Sequence, residues 1–264
     1  MDLKIDGRLA LVTASTGGIG KEIAACLARE GARVIVNGRT AETVDSAIAD
    51  LTARIPGATL ERLVADNGTV EGTRTTAAEY PAVDILVNNL GIYGPVDFLD
   101  TTDEAWQEMF EVNVMSGVRL ARQYLPAMLS KGTGRLVFLA SEAAVMPAAE
   151  MVHYSASKTM VLGVSRGLAE LTKGTAVTSN AIVAGSTKTD GAVSFIGELY
   201  PGIPFDEAEA AFMGPGSARS TSLIGRLIEP QEVGDLVAYV CSPLAAAING
   251  SALRIDGGLV RSVF

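Results

Sequence analysis

The stretch that decides the fold is Leu9-Ala-Leu-Val-Thr-Ala-Ser-Thr-Gly-Gly-Ile-Gly20, which leads into a helical pattern over Ile19–Glu30. Its first residues form an apolar run without alternation, a pattern typical of strands covered on both faces, as in parallel sheets. Glycines between a strand and a helix let the backbone approach a phosphate, and the free N–H groups at the helix start favour an anion. The stretch therefore predicts a strand, a phosphate-binding turn and a helix, with an ordinary tight turn as the alternative.

Short apolar runs and longer helical patterns continue to alternate along the 264 residues. Strands are predicted at Leu9–Thr13, Arg33–Asn37, Leu60–Val64, Ile85–Asn88, Arg135–Leu139, Val177–Val183 and Ala252–Ile255. Helices are predicted at Ile19–Glu30, Ala41–Ile55, Val70–Glu79, Asp103–Leu129, Val152–Thr172 and Pro230–Cys241. Strands separated by helices imply right-handed βαβ units, and therefore a single α/β domain over 1–264 with a doubly wound parallel sheet and helices on both faces.

Residues 190–222 break this alternation, because glycines and prolines are scattered there among apolar residues. A long irregular segment in a compact domain is usually a lid or a binding loop, so a substrate lid is predicted at about 190–222. A disordered insertion is the alternative, although the segment has apolar side chains to bury. The side chains that favour a lid and a partly apolar substrate are Phe195, Ile196, Leu199, Tyr200, Phe205 and Phe212.

Composition and charge exclude several classes of protein. The chain carries 21 Lys and Arg against 30 Asp and Glu, a net charge of −9, and has no basic run for a nucleic acid. The charged N-terminus lacks an apolar signal segment, and Pro243 and Asn249 interrupt the longest uncharged stretch, so a cytoplasmic protein without a membrane partner is predicted. Cys26 and Cys241 are expected to be buried thiols, and no cluster of His, Cys and carboxylates predicts a metal.

The strongest chemical signal is Tyr154-Ser-Ala-Ser-Lys158, thirteen residues after Ser141. Tyr and Lys at this spacing share one helix face, and a nearby ammonium is expected to lower the phenol pKa from about 10. Such a tyrosine can give a proton to a forming alkoxide or take one from an alcohol. Ser141 ends the fifth strand, at the sheet edge where these folds bind ligands, and could orient the substrate oxygen. A surface helix pair is the alternative for Tyr154 and Lys158.

Taken together, these motifs resemble the short-chain dehydrogenase/reductase family, and 3-oxoacyl-acyl carrier protein reductase-like members in particular. The family's Thr-Gly-x-x-x-Gly-x-Gly turn is matched at Thr13, Gly18 and Gly20, but Ala14 replaces its first glycine. That methyl group should be tolerated only if the φ angle of Ala14 stays negative. The resemblance implies a Rossmann fold with strand order 3-2-1-4-5-6-7, and hydride transfer between a nicotinamide cofactor and a carbonyl or secondary alcohol substrate.

By the same resemblance, Asn113, Ser141, Tyr154 and Lys158 are the catalytic residues. Tyr154 would exchange the proton, and Lys158 would lower its pKa while holding the nicotinamide ribose. Asn113 would kink its helix and hold a water that relays protons to the lysine. A non-catalytic nucleotide-binding regulator is the main alternative function, because several family motifs are altered.

The end of the second strand bears on the choice of cofactor. No acid follows Asn37, since Gly38 stands where the family's NAD-dependent members carry Asp, and the guanidinium of Arg39 suits a 2′-phosphate. NADP(H) is therefore the preferred cofactor, with NAD(H) possible. A solvated Arg39 is the alternative, and Gly17 stands where many NADP-dependent relatives carry a second basic residue.

Further cofactor contacts follow from the resemblance. Asp66 would bond the adenine amino group, or merely form the turn before Asn67. In Asn180-Ala-Ile-Val-Ala184, alanine replaces the family's proline, which is expected to loosen this wall of the pocket. The complete predicted cofactor site comprises Thr13, Ser15, Thr16, Gly18, Ile19, Gly20, Asn37, Gly38, Arg39, Asp66, Asn67, Asn89, Leu90, Gly91, Tyr154, Lys158, Ala184, Gly185, Thr187 and Thr189.

Two further expectations concern a rival motif and assembly. Gly163-Val-Ser-Arg-Gly167 matches the nucleophile pattern of hydrolases, but it lies inside a helical run, and the lone His153 precedes it. His153 is instead expected at a helix start near the pocket rim. Since most relatives are homotetramers, a homotetramer or homodimer is predicted, pairing through the helices Asp103–Leu129 and Val152–Thr172.

Overall fold

A computed structural model of the chain describes residues 2–263 and contains one sheet of seven parallel strands. The strands are β1 Leu9–Val12, β2 Arg33–Gly38, β3 Thr59–Val64, β4 Ile85–Asn88, β5 Thr133–Ser141, β6 Ala176–Ala184 and β7 Ala252–Ile255. Their order is β3-β2-β1-β4-β5-β6-β7, which confirms the predicted Rossmann topology. Each predicted strand is present, and β5 and β6 are longer than expected.

The helices lie on both faces of this sheet. They are α1 Gly18–Arg29, α2 Ala41–Arg54, α3 Val70–Glu79, α4 Asp103–Phe110, α5 Ser116–Lys131, α6 Val152–Glu170, α7 Asp190–Leu199, α8 Phe205–Met213 and α9 Pro230–Cys241. The prediction of one continuous helix over Asp103–Leu129 is wrong, because a π-helical turn at Glu111–Met115 separates α4 from α5. Short 3₁₀ turns lie at Phe98–Asp100, Glu142–Ala144, Ala149–Met151 and Pro243–Ala245.

Two apolar layers cover the sheet. The layer that includes Ile23 of α1 and Val237 of α9 is buried against one face, with the small side chains of α1 allowing close approach to α9. On the other face, Leu120 and Tyr124 of α5 pack with Val161 of α6. Because both faces are covered, the central strands are apolar at successive positions, which is the pattern read from the sequence.

Residues 190–222 depart from the prediction of an irregular lid. They form α7, α8 and a following loop, and the helices pack on each other through a small apolar cluster containing Ile196, Phe212 and Leu227. Leu199 is the exception among the predicted lid residues, since half of its surface is exposed. Most of the apolar side chains expected to face a substrate therefore face each other.

Both cysteines are free, as the sequence predicted, and burial raises the pKa of each thiol to about 12. A thiol that keeps its proton at neutral pH is a poor nucleophile. Over residues 2–263, no helix is both long enough and apolar enough to cross a bilayer.

Parallel order places the carboxyl ends of β1, β4, β5 and β6 along one side of the sheet, hereafter the carboxyl edge. From β1 the successive strands are added on one side as far as β3, and the chain then returns to place β4 on the other side of β1. Folds of this type bind ligands in the crevice between the ends of these two neighbouring strands, β1 and β4. The loops that follow these strands carry most of the predicted site residues.

Candidate active site at the carboxyl edge

Tyr154 and Lys158 lie together on α6, where the chain passes the ends of β4 and β5. The Lys158 Nζ atom is 5.7 Å from the centroid of the Tyr154 ring and donates a hydrogen bond to the carbonyl oxygen of Leu139 at 2.9 Å. Lys158 is buried, whereas Tyr154 retains partial exposure. The predicted proximity of these side chains is confirmed, and the burial of Lys158 excludes a pair on the helix surface.

The predicted pKa of Tyr154 is wrong in direction. Burial raises the pKa of the phenol well above 10, and the nearby Glu142 carboxyl raises it further, while a hydrogen bond from the Ser141 hydroxyl partly opposes this. Burial also lowers the pKa of Lys158 to about 8. Loss of hydration disfavours both charged forms, and it is the largest influence on the pKa of each side chain. Tyr154 therefore keeps its proton at neutral pH, as a proton donor requires.

Ser141 is the last residue of β5 and lies in register with Ala184 of β6. Its Oγ atom accepts a hydrogen bond from the backbone N–H of Ala143 at 3.2 Å and is 2.6 Å from Oε2 of Glu142. The hydroxyl is thus held at the carboxyl edge by a 3₁₀ turn that begins at Glu142.

Asn113 lies within the π turn, which interrupts the α-helical hydrogen bonding at the position where a kink was predicted. Its amide clamps the loop after β4, because Oδ1 accepts from the N–H of Ile92 at 2.7 Å and Nδ2 donates to the Ile92 carbonyl at 2.9 Å. Nδ2 also lies 3.0 Å from the Ser157 hydroxyl of α6. The proposed water relay from Asn113 to Lys158 stays a prediction.

Gly91 separates Lys158 from Asn113. A Cβ atom at this position would lie 3.1 Å from the Lys158 Nζ and 3.3 Å from the Asn113 Oδ1, so a larger residue would push the two polar groups outward. The absence of a side chain at Gly91 therefore allows Lys158 Nζ and Asn113 Oδ1 to approach this backbone more closely than a Cβ atom would permit without small shifts.

The glycine turn contains a correction. Ala14 has a φ angle of +51°, in the left-handed region, although the sequence argument required a negative value. Two asparagines hold it there: Asn37 accepts from the Ala14 N–H at 3.2 Å, and Asn89 donates to the Ala14 carbonyl at 3.1 Å. The turn holds Ala14 in the left-handed region at the expense of local strain, because the surrounding hydrogen bonds over-determine its conformation.

The start of α1 is open to an anion. Its N-cap residue is Gly17, no side chain caps the first N–H groups, and no acidic residue lies in the first turn. Gly18 has a φ angle of +51° and faces the Thr189 methyl group, while a Cβ atom at Gly20 would lie 2.4 Å from the Ala14 carbonyl oxygen. These close approaches form a cradle lined by backbone, which fits the diphosphate of a dinucleotide.

Four predicted cofactor residues lie behind this cradle, with their side chains buried and bonded to the protein. Thr13 Oγ1 accepts from the backbone N–H groups of Asn89 and Leu90, at 2.9 and 3.0 Å. Ser15 and Asn67 are also buried within hydrogen-bonded pairs, the latter donating to the Asn37 side chain at 3.1 Å. These side chains shape the turn, and they do not face the open edge.

Arg39 lies at the exposed tip of β2. Within the described part of the chain its guanidinium has neither an ion pair nor a hydrogen bond, so it is free to meet an anion. A Cβ atom at Gly38 would come within 2.5 Å of the Thr16 methyl group, and a carboxylate there would require that side chain to move. The tip is therefore cationic and lacks the acid that would bind an unmodified ribose.

The expectation for Ala184 at the rim is corrected, whereas the adenine contact of Asp66 stays a prediction. Asp66 accepts the Gly68 N–H at 3.0 Å, which confirms the turn-forming alternative for one of its carboxylate oxygens. Ala184 does not loosen the pocket wall, because β6 is paired on both sides through this residue, and the Gly185 N–H bonds the Ile255 carbonyl at 3.0 Å. Thr187 follows, with its hydroxyl bonded to the Gly185 carbonyl at 2.8 Å.

Sequence reasoning missed several side chains of the site. The ring of Tyr93 meets that of Tyr154 edge to face at 6.2 Å, and Arg219 donates to the Ser186 hydroxyl at 2.9 Å. Ser186 Oγ in turn lies 3.5 Å from Glu142 Oε1. The one signal in the sequence was an acid directly after Ser141, whereas Tyr93 and Arg219 come from loops without a motif.

The hydrolase pattern is excluded by its place in the fold. Ser165 is buried within α6, and its hydroxyl lies 3.3 Å from that of Ser179 in β6, far from any strand-to-helix turn. His153 lies at the start of α6 as expected, but it is buried with its ring against Trp106 at 6.1 Å.

Comparisons with known proteins agree with this geometry. A family model described as enoyl-(acyl carrier protein) reductase matches residues 13–260. An uncharacterized oxidoreductase of Bacillus subtilis, YvaG, is 53% identical over all of both chains. The 3-oxoacyl-[acyl-carrier-protein] reductase FabG of Escherichia coli is 32% identical, over 97% of this chain and 99% of its own.

A solved structure extends the likeness to the backbone. The L-sorbose reductase of Gluconobacter frateurii, complexed with NADPH and L-sorbose, has a TM-score of 0.91 and 29% identity over all of both chains. The chain belongs to the short-chain dehydrogenase/reductase family, as its motifs predicted.

Proposed function

We propose that this protein is an NADP(H)-dependent oxidoreductase that interconverts a carbonyl compound and a secondary alcohol. The observation that carries the proposal is the meeting of Tyr154, Lys158 and Ser141 at the same edge as the uncapped start of α1. A regulator that only binds a nucleotide would need the uncapped start of α1 but not the group of Tyr154, Lys158 and Ser141. The likeness to a reductase complexed with NADPH and to 3-oxoacyl reductases supports the same reaction class.

When bound, the nicotinamide supplies a hydride to the carbonyl carbon or accepts one from the alcohol carbon. Tyr154 holds the matching proton and delivers it to the substrate oxygen during reduction, since burial keeps the phenol protonated. Ser141 orients that oxygen with its hydroxyl. Lys158 carries a positive charge below about pH 8, and this charge stabilises the negative charge that develops on Tyr154 as the proton leaves.

The preference for NADP(H) over NAD(H) rests on the tip of β2. The free guanidinium of Arg39 suits a 2′-phosphate, and Gly38 offers no carboxylate to a ribose hydroxyl. We expect a higher kcat/KM with NADPH than with NADH. Equal efficiency with both cofactors would contradict this part of the proposal.

The substrate is a small carbonyl or alcohol compound, and a 3-oxoacyl substrate is supported by sequence likeness alone. Assembly as a homotetramer or homodimer is supported by half-exposed apolar side chains on the expected helices, Phe110 of α4 and Met160 of α6. Sedimentation that shows only monomer would reject it. Location in the cytoplasm stays a prediction from the sequence.

Replacing Tyr154 by Phe tests the catalytic assignment. We expect the Tyr154→Phe variant to lose turnover by at least about a hundredfold, because proton transfer is lost, while NADPH binding by fluorescence titration stays measurable. The assay follows NADPH absorbance with ethyl acetoacetate and L-sorbose as carbonyl probes, and Tyr239→Phe on α9 is the matched control. Near-normal activity of Tyr154→Phe would refute the assignment.

A further inference from the structure

Glu142 is a carboxylic acid placed directly against the serine of the site. Its Oε2 atom is 2.6 Å from Ser141 Oγ, and its Oε1 atom is 3.5 Å from the Ser186 hydroxyl. The residue opens the 3₁₀ turn after β5, so its backbone is fixed by the same turn that holds Ser141. An acid this close to the Ser141 hydroxyl affects whether that hydroxyl can donate or accept a hydrogen bond with the substrate.

The hydrogen bonds of Ser141 can be counted. A serine hydroxyl has one hydrogen to donate and two positions that accept. The Ala143 N–H occupies one accepting position at 3.2 Å. When Glu142 is ionised, its carboxylate takes the single hydrogen, and Ser141 can only accept a hydrogen bond, from the Tyr154 hydroxyl or from the substrate. When Glu142 is protonated, it donates to Ser141, whose own hydrogen is then free for the Tyr154 oxygen or for the substrate.

The two forms of the substrate need opposite partners. A carbonyl oxygen only accepts hydrogen bonds, whereas an alcohol can donate one. We propose that Glu142 is a positioning residue whose protonation decides whether Ser141 donates to a carbonyl substrate or accepts from an alcohol. The inference rests on the proposed function, since it concerns the same reaction and acts through Ser141.

The surroundings of Glu142 raise the pKa of its carboxyl above that of an ordinary glutamate. Burial raises the pKa of the Glu142 carboxyl. Hydrogen bonds from the Ser141 hydroxyl and from the Glu142 backbone N–H lower it, as does the guanidinium of Arg219, and the charge of Asp256 raises it slightly, so that the net pKa is raised. Tyr154 is the remaining titratable neighbour, and its phenol keeps its proton over the same range. Net desolvation therefore extends the protonated form of Glu142 toward neutral pH.

Arg219 is held beside this acid by two contacts. It donates to Ser186 at 2.9 Å, and its guanidinium carbon lies 4.3 Å from the centre of the Phe212 ring of α8. The loop after α8 thus presents a cation to the hydrogen-bonded series of Ser186, Glu142 and Ser141. Loss of that cation should make ionisation of Glu142 harder.

The test is the pH profile of kcat/KM in both directions, from about pH 5 to about pH 9. Ethyl acetoacetate and L-sorbose serve as carbonyl probes with NADPH, and ethyl 3-hydroxybutyrate and sorbitol as alcohol probes with NADP⁺. In the wild type, carbonyl reduction should fall by about tenfold as Glu142 ionises, and alcohol oxidation should rise over the same interval.

Glu142→Gln should remove this change from both profiles, because an amide can donate or accept but does not titrate. The alkaline change due to Lys158, near pH 8, should remain. Arg219→Gln should keep the Glu142 change and move it to higher pH. The matched control is Glu79→Gln, the same substitution at an exposed position of α3, which should leave the wild-type profile intact.

Three outcomes decide the question. A Glu142→Gln profile that overlays the wild type, or an Arg219→Gln profile displaced to lower pH, would overturn the role of Glu142 while leaving the proposed function intact. Absence of turnover by the wild type with every probe would overturn the proposed function, and this inference with it.

A readout independent of turnover guards against a folding defect. A raised pKa in the folded state means that the stabilising effect of protonated Glu142 is present at low pH and is lost as pH rises through the folded-state value. Urea unfolding should therefore show that Glu142→Gln gains stability relative to wild type as pH rises from about 4 to about 8. No such gain would contradict the buried acid on which the inference depends.

Discussion

At the scale of single residues, Ala14 shows how a family motif survives the loss of its glycine. The left-handed φ angle of +51° is kept because Asn37 and Asn89 bond both sides of the residue. A left-handed alanine costs roughly 1–2 kcal/mol, which those hydrogen bonds and the packed turn must offset. The strain lies directly beneath the phosphate cradle, where displacement of the Ala14 carbonyl would alter the position of Gly20.

Substituting glycine for Ala14 should relieve this strain. We expect Ala14→Gly to raise the free energy of unfolding by about 0.5–1 kcal/mol, because the relief exceeds the entropy that glycine loses on folding. Urea unfolding monitored by circular dichroism measures it. Ala53→Gly, at an exposed position within α2, is the matched control and should destabilise by about 1 kcal/mol. A destabilised Ala14→Gly protein would show that the strain argument is wrong.

Lys158 is a second residue that is unfavourable where it lies, because its ammonium group is buried away from water. Its pKa of about 8, compared with an ordinary 10.5, means that the ammonium form is disfavoured in the folded protein. Since the unfolded chain binds more protons between these two values, stability rises with pH across that interval. Below about pH 8, burying the charged ammonium lowers the free energy of unfolding by its full amount, which is at most about 3 kcal/mol.

Replacing the lysine by methionine should therefore stabilise the fold while abolishing catalysis. We expect Lys158→Met to unfold at higher urea concentration than wild type at pH 7, by up to about 3 kcal/mol, and the difference to shrink toward pH 10. Lys173→Met, at an exposed turn after α6, controls for the change of side chain. If the advantage of Lys158→Met grew with pH instead, the sign of the pKa change would be wrong.

At the scale of elements, the π turn between α4 and α5 and the helices of residues 190–222 carry the departures from expectation. The π turn has no mark in the apolar periodicity, because Asn113 forms it through contacts with Ile92 and Ser157 that are distant in sequence. In 190–222, glycines and prolines stand mainly at the ends of α7 and α8, and they were mistaken for an irregular segment as a whole. Thr189 caps α7 by accepting the Ala192 N–H at 3.2 Å.

Removing the Asn113 amide should release the loop after β4. We expect Asn113→Ala to destabilise the protein by about 1–3 kcal/mol, since the partly buried N–H and carbonyl of Ile92 lose their partner. Hydrogen exchange should show lost protection of the Ile92 amide in particular. Gln107→Ala, which removes an exposed amide from α4, is the control. Unchanged protection at Ile92 would contradict the clamp.

At the scale of the whole molecule, parallel strand order gathers the site from distant parts of the chain. The cradle follows β1, Asn113 comes from the π turn, Ser141 ends β5 and Arg219 arrives from beyond α8. Each is delivered to the carboxyl edge by an element whose apolar face is buried elsewhere. The fold thus supplies a rigid frame, and the site lies at one end of it, on α6, at the end of β5 and in the turns that follow the strands.

The sequence pattern by itself predicted the parallel sheet, the glycine turn, and the grouping of Ser141, Tyr154 and Lys158. Such features depend on the periodicity and spacing of neighbouring residues, which a chain displays before it folds. The order of the strands was predicted from the resemblance to the family. Only the tertiary structure decided the φ angle of Ala14 and the raised pKa of Tyr154. Backbone strain and loss of hydration are set by every group packed around a residue, and those groups come from segments that the sequence separates.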